Sequence, residues 1–471
     1  MRTLVWFRGK DLRLGDHAPL NSALKGGEAV LLFVIDPFFF AKERAQELPH
    51  RMQYLIESLT ALDKNVAHLG GRLLLAAGKA TDVVPKLAAQ FRVDRVVAYR
   101  WTEPFGRVRD ERVRQALGVP LELFEGETLV PPDDVRTQDG RPFSVYTPFS
   151  RVARRLLVDT PPLKAPTQLP PLPANVVHTN AQVPSLEELG IKHNPRLTPG
   201  GERAARDRLA LFLRTAGARY HEDRDRMDLP GTSRLSQDLK FGTLSARSAW
   251  HAATKALEGK AQERFQAELL WRDFAHHLLF HRPQLLQEPN RPEFGRFPWE
   301  PDPKGWSAWT TGHTGYPVVD ASARQLLRDG FVHNRARMIS ASFLAKHLRI
   351  DYRRGEAHYM KYLTDGDWAQ NNAGWQWSAG CGCDAQPYFR IFNPVTQGEK
   401  FDPDGAYVRE FVPELAELDA KYIHAPWSAP PLVLKGAGIQ LGKTYPMPIV
   451  DHATSRDLFL KLAATHLGKK G

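Results

Sequence analysis

Residues 362–394 read YLTDGDWAQNNAGWQWSAGCGCDAQPYFRIFNP, and this stretch decides how the chain is organised. It contains three carboxylates, a run of amides, three tryptophans and both cysteines, without the apolar spacing of an ordinary core helix. Asp365 and Asp367 can accept hydrogen bonds from hydroxyls, amides or a cation. Trp375 and Trp377 are two positions apart, so they favour different neighbours. The combination predicts a ligand site, with a polar loop above a tryptophan-filled core as the alternative.

The composition is that of a soluble, basic, multidomain protein. The 471 residues suit two or three domains, and 64 Lys+Arg against 53 Asp+Glu leave a formal net charge of +11. This excess favours a polyanionic partner, although a scattered surplus can also simply keep a protein soluble. Cys381 and Cys383 are too close for a structural disulfide, so we expect two ordinary buried thiols in a reducing cytoplasm. The sequence shows no signal peptide and no membrane span, and a monomer is expected.

Short apolar runs alternate with helix-like segments in the first part of the chain. The runs occupy residues 3–7, 29–35, 72–76 and 95–98, and the helix-like segments include residues 52–62 and 83–91. Buried strands alternating with helices predict a parallel, Rossmann-like sheet in an α/β domain over residues 1–130. Neither GxGxxG nor GxxxxGK[ST] follows the first strand, so no dinucleotide or triphosphate site is indicated there.

The remainder is predicted to be a linker and a helical domain. Residues 161–195 are rich in proline without a sustained period, which is typical of a linker, and we place that linker at residues 131–195. From residue 201 onward apolar residues recur at spacings of three and four, as in residues 261–281 and 320–348. Residues 196–471 are therefore predicted to form an all-α domain.

Several short motifs in the helical part combine charge with aromatic surface. GTSRLS at 231–236 has three hydroxyls and an arginine at a predicted helix start, a pattern that can bind phosphate or simply cap a helix. Basic residues between 335 and 400 are interleaved with aromatics, as a nucleic-acid groove requires. His277 and His281 have the spacing of a metal pair, but no nearby carboxylate or cysteine completes a set, so no metal is expected.

Six motifs resemble, in order and spacing, those of the DNA photolyase and cryptochrome family over nearly the whole chain. They are WFRGKDLRLGDH (6–17), YHEDRDRMDLPGTSRLS (220–236), ELLWRDF (268–274), TGYPVVDASARQL (314–326), HNRARM (333–338) and DGDWAQNNAGWQWSAGCGCDAQPYFRIFNP (365–394). The likeness is greatest to bacterial class I cyclobutane pyrimidine dimer photolyases. It implies an antenna-binding α/β domain and a helical domain that binds FAD. It also implies a lyase activity that uses blue light to repair dimers in damaged DNA.

The resemblance also implies roles for individual residues. FAD would be bound by Tyr220, Thr232, Ser233, Arg234, Leu235, Ser236, Phe265, Glu268, Arg272, Asn334, Arg337, Asp365, Gly366, Asp367 and Asn371. The catalytic and electron-transfer residues would be Glu268, Asn371, Trp375, Tyr352 and Trp299. Damaged DNA would contact Arg224, Trp271, Asn334, Arg335, Met338, Trp377, Arg390 and Lys400. A second, antenna chromophore, with deazaflavin or FMN favoured over folate, would contact Asp36, Arg51, Glu103 and Lys240.

Some features of the chain bear on which function it has, and one residue departs from the usual sequence of the family. Photolyases for (6-4) photoproducts carry two histidines where this chain has Asn334 and Met338, which favours cyclobutane dimers. A cryptochrome photoreceptor stays an alternative, while a flavin oxidoreductase would need a nicotinamide site that the sequence does not show. Tyr352 stands where the family has the middle tryptophan of its photoreduction chain. We therefore expect photoreduction of the flavin to be slowed or rerouted, through Trp368 or a tyrosine such as Tyr359.

Overall fold

The computed structural model describes residues 1–157, 160–176, 181–385 and 387–467. The chain divides into two compact units, of which the first comprises Met1–Ala218 and Ser233–Pro283. The second comprises Arg219–Thr232 and Gln284–Gly471. The domain limits expected from the sequence, 1–130, 131–195 and 196–471, stay a prediction.

A five-stranded parallel sheet forms the core of the first unit. Its strands are β1 (Arg2–Phe7), β2 (Glu28–Ile35), β3 (Leu73–Ala77), β4 (Arg95–Tyr99) and β5 (Leu121–Phe124). The strand order is β3-β2-β1-β4-β5, and Val5 pairs with both Leu31 and Val97. The predicted parallel α/β sheet is thus confirmed. The sequence did not reveal β5, because this short edge strand has an exposed Glu122 instead of a continuous apolar run.

Helices cover the sheet and form the second unit. The first twelve are α1 (Ala18–Gly26), α2 (Pro37–Phe40), α3 (Lys42–Gln46), α4 (Pro49–His68), α5 (Ala80–Gln90), α6 (Pro104–Ala116), α7 (Tyr146–Leu156), α8 (Glu202–Thr215), α9 (Tyr220–Asp223), α10 (Ser236–Phe241), α11 (Ala246–Ala256) and α12 (Gly259–His281). The others are α13 (Pro303–Thr311), α14 (Pro317–Asp329), α15 (Asn334–Ser342), α16 (Tyr352–Tyr362), α17 (Trp368–Ala379), α18 (Pro394–Phe401), α19 (Ala406–Phe411), α20 (Ala420–Ile423), α21 (Pro431–Gly436) and α22 (His452–His466). The predicted helical part is confirmed, and α7 lies in the segment expected to be a linker.

The helical segment expected at residues 320–348 is divided in two. Helix α14 ends at Asp329, and Gly330 adopts a left-handed φ of 59° that terminates it. The imidazole of His333 then accepts a hydrogen bond from the backbone N–H of Arg335 and caps α15. Because of this break, α14 and α15 are separate helices, and the direction of α15 is not fixed by that of α14.

Within the described residues, none of the helices combines the length and the apolar character that crossing a bilayer requires.

Candidate functional site

Helices α16 and α17 of the second unit are brought into direct contact by a glycine. A Cβ placed on Gly355 would lie 2.2 Å from the indole Cη2 of Trp375, so only glycine lets this ring rest on the backbone of α16. Tyr352 and Tyr359 lie three residues before and four residues after Gly355, on the same face of α16. Trp375 is 3% exposed. The contact therefore places a buried indole on the helix face that carries both tyrosines.

The two asparagines of α17 are fixed by the same helix. Asn371 donates from its side-chain amide to the backbone carbonyl of Glu356, at 3.0 Å. Asn372 donates to the carboxylate of Glu356 at 3.1 Å. Burial raises the pKa of Glu356 to about 7, against which the hydrogen bond from Asn372 acts. The orientation of Asn371, the residue expected to face the flavin ring, is thus set by its bond to α16.

The loop before α17 holds an aspartate with one oxygen engaged and one available. Arg337 of α15 donates to Oδ2 of Asp365 at 2.8 Å. In the described part of the chain, Oδ1 of Asp365 is buried without a hydrogen-bond partner. A buried acceptor of this kind requires a donor, such as a hydroxyl or ring N–H of a bound molecule. These residues therefore fit the hydrogen-bonding groups of FAD.

The accessible side of helix α15 carries a polar amide beside a polarizable thioether. The amide of Asn334 contacts the sulfur of Met338, one turn away, at 3.7 Å. Asn334 is exposed and Met338 is half-buried. Met338 is therefore not a core residue, which was the alternative to a ligand contact for a methionine in a helix.

Three of the basic residues expected to contact DNA lie together in the second unit. Arg335 forms an ion pair with Asp225 at 2.8 Å, and Arg224 approaches the same carboxylate at 3.8 Å. The guanidinium of Arg335 lies 4.3 Å from the ring centre of Phe401, and the ammonium of Lys400 lies 5.3 Å from it. We call Arg224, Arg335 and Lys400 the basic rim. A common carboxylate and a common aromatic ring hold these cations close together.

The last of the expected DNA contacts in this unit, Arg390, is placed by a buried lysine. Arg390 is exposed, and its backbone carbonyl accepts a hydrogen bond of 2.9 Å from the ammonium of Lys346. Lys346 is 0% exposed, and this burial lowers its pKa to about 7. Sequence inspection missed Lys346 because it occupies an apolar position of a helical segment, where its charge gives no sign of its partner.

In the first unit, α12 carries two residues expected to contact the dimer. Glu268 and Trp271 are three positions apart and share a face of the helix. Glu268 lies 3.6 Å from Arg264, and Trp271 stacks on Tyr146 of α7. Arg272 donates to the backbone carbonyl of Glu127 at 2.7 Å, while its Nε is buried without a partner among the described residues. Arg272 thus retains a donor for a ligand.

Other residues expected to bind the cofactor lie in the loop before α10 and on α12, and two more lie in the second unit. Ser233 to Leu235 precede the helix, and Arg234 has a left-handed φ of 54°. Ser236 is the first residue of α10. Phe265 is buried against Phe212, with ring centres 5.3 Å apart. In the second unit, Tyr220 is buried beneath the guanidinium of Arg224, and Thr232 and Trp377 are half-buried.

Of the four residues expected to contact an antenna chromophore, Asp36 and Glu103 follow β2 and β4, Lys240 lies beside Glu103, and Arg51 lies on α4. Glu103 pairs with Lys10 at 2.9 Å and lies 3.6 Å from Lys240. Asp36 accepts hydrogen bonds from the backbone N–H groups of Phe38 and Ala80. Phe38 stacks on Phe105 with ring centres 4.3 Å apart. Carboxyl ends of parallel strands are where open α/β sheets bind ligands.

Aromatic residues of the second unit form two groups, which we call branches, and one of them includes Trp375 itself. In the expected branch, Tyr352 lies 6.2 Å from Trp299 between ring centres, and its hydroxyl forms a hydrogen bond with the thiol of Cys381. Burial raises the pKa of the Tyr352 phenol far above its usual value. In the other branch, Trp375 lies 5.1 Å from Tyr359.

The second branch continues toward the surface through residues that sequence inspection did not single out. Tyr359 lies 5.9 Å from Trp309, and Trp309 lies 5.6 Å from Trp306, which is half-buried beneath Arg354. Trp368, the other rerouting candidate, is 39% exposed at the start of α17. Trp306 and Trp309 were missed because the only signal, a three-residue spacing in α13, is common in ordinary core helices.

Comparison with known families agrees with these features. The family model described as DNA photolyase matches residues 3–170, and the model described as FAD binding domain of DNA photolyase matches residues 265–465. A deoxyribodipyrimidine photo-lyase of Agrobacterium fabrum is 42% identical, over 96% of this chain and 96% of that protein. The predicted enzyme class, a photo-lyase, is confirmed by this similarity.

Solved structures agree as well. A bacterial class III photolyase from Agrobacterium tumefaciens has a TM-score of 0.92 and 41% identity, covering 99% of this chain and 98% of that one. A cryptochrome from Synechocystis has a TM-score of 0.90 and 31% identity, covering 98% of this chain and 99% of that one. Assignment to class I within the family stays a prediction. Taken with the two matched models, the similarity over nearly its full length means that this chain belongs to the DNA photolyase family.

Proposed function

We propose that this protein repairs cyclobutane pyrimidine dimers in DNA in a light-dependent reaction. The observation that carries the proposal is the surface of α15, where Asn334 and Met338 are in contact at 3.7 Å. An amide and a thioether offer a hydrogen bond and a soft apolar contact, but neither can act as a proton donor of the kind that a histidine supplies. Splitting a cyclobutane ring needs electron transfer and no such donor.

The dimer must leave the duplex before it can react. A damaged base pair is poorly stacked, which lowers the free energy of flipping it out. In the proposal the basic rim neutralises the phosphates on either side, and the indole of Trp271 stacks against the flipped bases. Glu268, one turn from Trp271, donates a hydrogen bond from its carboxyl group to a pyrimidine carbonyl and stabilises the negative charge that develops there.

FAD, when bound in its reduced form, would supply the electron that light transfers to the dimer and would regain it after the ring splits, so that no net oxidation or reduction results. The chain's part is to bind and orient that cofactor. Asp365 offers its buried Oδ1 as an acceptor, and Arg337 orients this carboxylate through its hydrogen bond to Oδ2. Asn371 is held at a fixed orientation by its bond to the carbonyl of Glu356, so its side-chain oxygen would be preorganised as a contact for the flavin.

We also propose a second chromophore, with a deazaflavin or FMN favoured over a folate. The supporting features are the ion-paired Glu103 and Lys240 and the exposed stack of Phe38 and Phe105 beside Asp36, a planar surface next to polar groups. Denaturing the purified protein and separating the released chromophores tests this. A second flavin or a deazaflavin is expected, whereas a folate without either compound would overturn the assignment.

Blue-light repair by the purified, chemically reduced holoprotein tests the main proposal. One oligonucleotide carries a cyclobutane thymine dimer and a second carries a (6-4) photoproduct, with dark samples as controls. Loss of the cyclobutane dimer alone, in light alone, is the expected result. Repair of the (6-4) lesion would contradict the reading of Asn334 and Met338. Repair of neither lesion by FAD-loaded protein would move the assignment to a cryptochrome-like photoreceptor.

A further inference from the structure

Trp271 is held from behind by a tyrosine on a different helix. Its ring and that of Tyr146 are 3.6 Å apart between centres and inclined by only 7°. Aromatic pairs left to themselves prefer offset or edge-on arrangements with centres about 4.5–7 Å apart. A closely overlapped, parallel pair of this kind therefore requires other contacts that hold the two rings in register.

Those contacts are present around Tyr146. Its hydroxyl donates to the backbone carbonyl of Ala267 at 2.9 Å. Ala267 lies four residues before Trp271 in α12, so the same carbonyl also accepts the helical hydrogen bond of the Trp271 N–H. The phenol is thus anchored to the turn of α12 that carries Trp271, and its ring can only lie along the indole.

Neighbouring rings complete the support. Phe274 meets Trp271 edge-on, with centres 5.8 Å apart and planes at 76°, and it meets Tyr146 at 5.9 Å and 70°. Helix α7 is fixed against α12 by fully buried Phe149, whose ring lies 5.1 Å from that of Phe274. Trp271 itself is only half-buried. One indole face is therefore occupied by Tyr146, and the ring plane is determined by two aromatic neighbours, Tyr146 and Phe274.

Tyr146 also lies close to the second dimer-pocket residue. Burial raises the pKa of its phenol to about 12, and the nearby carboxylate of Glu268 adds to this shift. The phenol is therefore neutral at physiological pH and remains a donor to Ala267. Tyr146 thus neighbours both Trp271 and Glu268. It lies outside the sequence motif of α12 and outside the basic rim.

We propose that Tyr146 is a positioning residue for dimer recognition, which holds the indole of Trp271 in the plane that a flipped pyrimidine dimer stacks against. The inference rests on the proposed function, because it assumes that Trp271 meets the dimer. Base stacking on an aromatic ring requires the ring to be parallel to the base. An indole free to rotate must be immobilised on binding, and this loss of side-chain freedom weakens affinity. Undamaged duplex, whose bases remain stacked, gains nothing from the indole.

Binding of FAD-loaded variants to two oligonucleotides tests the proposal, one with a cyclobutane thymine dimer and one undamaged. Tyr146→Leu should weaken binding to the dimer roughly three- to tenfold, the range expected for loss of an aromatic pair, and leave binding to undamaged DNA unchanged. Tyr146→Phe keeps the aromatic ring but loses the hydrogen bond to Ala267, so its affinity for the dimer should lie between those of the leucine variant and the wild type. Thr147→Ala, at the next and exposed position of α7, is the matched control and should behave as wild type.

A double-mutant cycle separates positioning from simple packing. If Tyr146 acts through Trp271, then Tyr146→Leu should have no further effect on dimer affinity in a Trp271→Leu protein. Tyr146→Met, whose side chain is longer and unbranched, replaces the leucine variant if that protein does not retain FAD. Equal losses on both DNAs, no loss on the dimer, or an effect that persists without Trp271 would each overturn the proposal. A wild-type protein that does not prefer the dimer would instead refute the proposed function.

Discussion

Replacing Gly355 by alanine should destabilise the second unit, although alanine is normally the better helix residue. In an open helix position the change stabilises by about 1 kcal/mol, because glycine loses more backbone freedom on folding. Here the added Cβ would lie 2.2 Å from Cη2 and 2.4 Å from Cζ3 of Trp375, and 2.6 Å from Leu344. Carbon atoms pack at about 3.5–4.0 Å, so the indole or α16 must move by about 1 Å.

The two effects oppose each other, and the steric one should prevail. Overpacking a tight core costs about 1–3 kcal/mol, and both neighbours of Gly355 are buried, with Leu344 0% exposed. We expect a net loss of about 1–2 kcal/mol, which for a unit of this size lowers the melting temperature by about 2–8 °C. Thermal unfolding followed by tryptophan emission measures the melting temperature. The emission before unfolding also reports the displacement of Trp375 in the variant.

Gly436→Ala is the matched control for this substitution. Gly436 ends α21 in the same unit, and a Cβ there would meet nothing within 4 Å. The control should be neutral or slightly stabilising. If Gly355→Ala melts at or above the temperature of Gly436→Ala, then the close contact of Trp375 with α16 is not as described, and the reasoning fails.

Three further outcomes are expected for the second unit. Burial raises the pKa of Glu356 from 4.5 to about 7, so the folded state holds a proton that the unfolded state releases, and stability should fall as pH rises from about 4.5 to 7. Between pH 5 and pH 8, Glu356→Gln should remove up to about 3 kcal/mol of this fall in the free energy of unfolding, as measured by denaturant titration. If the variant keeps the pH profile of the wild type, the raised pKa of Glu356 is contradicted. Lys400→Ala should reduce the slope of log affinity for DNA against log salt by about 0.9, while Arg328→Ala, whose guanidinium is paired with Asp329 and Glu410, should not. Tyr359→Phe should slow flavin photoreduction more than Tyr352→Phe, and the reverse order in transient absorption would favour the branch through Tyr352.

Much of the first unit could be predicted because its strands are continuous apolar runs. Parallel strands buried on both faces have no polar alternation, so residues 29–35 are recognisable in the sequence alone. The helix α7 could not be found in this way, since it follows proline-rich and polar sequence and has only Phe149 and Ala153 fully buried. Tyr146 was overlooked for the same reason, although it contacts a residue that the sequence did identify.

For the candidate site in the second unit, the sequence could suggest residues but not their contacts. The i, i+2 spacing of Trp375 and Trp377 correctly indicated different surroundings, because one is buried and the other half-buried. Spacing within α17 could not reveal that Trp375 lies on Gly355 or near Trp309, since these partners are distant in sequence. Long-range packing of this kind depends on how helices cross, which local patterns do not encode.

The ammonium of Lys346 beneath Arg390 gives this loop an unusual dependence on solvent conditions. The hydrogen bond to the Arg390 carbonyl is made by a group whose pKa lies near 7. Below neutrality the donor is an ammonium, and above neutrality it is a neutral amine, a weaker donor. Amide hydrogen exchange in the residues after Pro387 should therefore accelerate above pH 7 by more than its intrinsic pH dependence. The rigidity with which the protein presents Arg390 to its surroundings is set from inside the core.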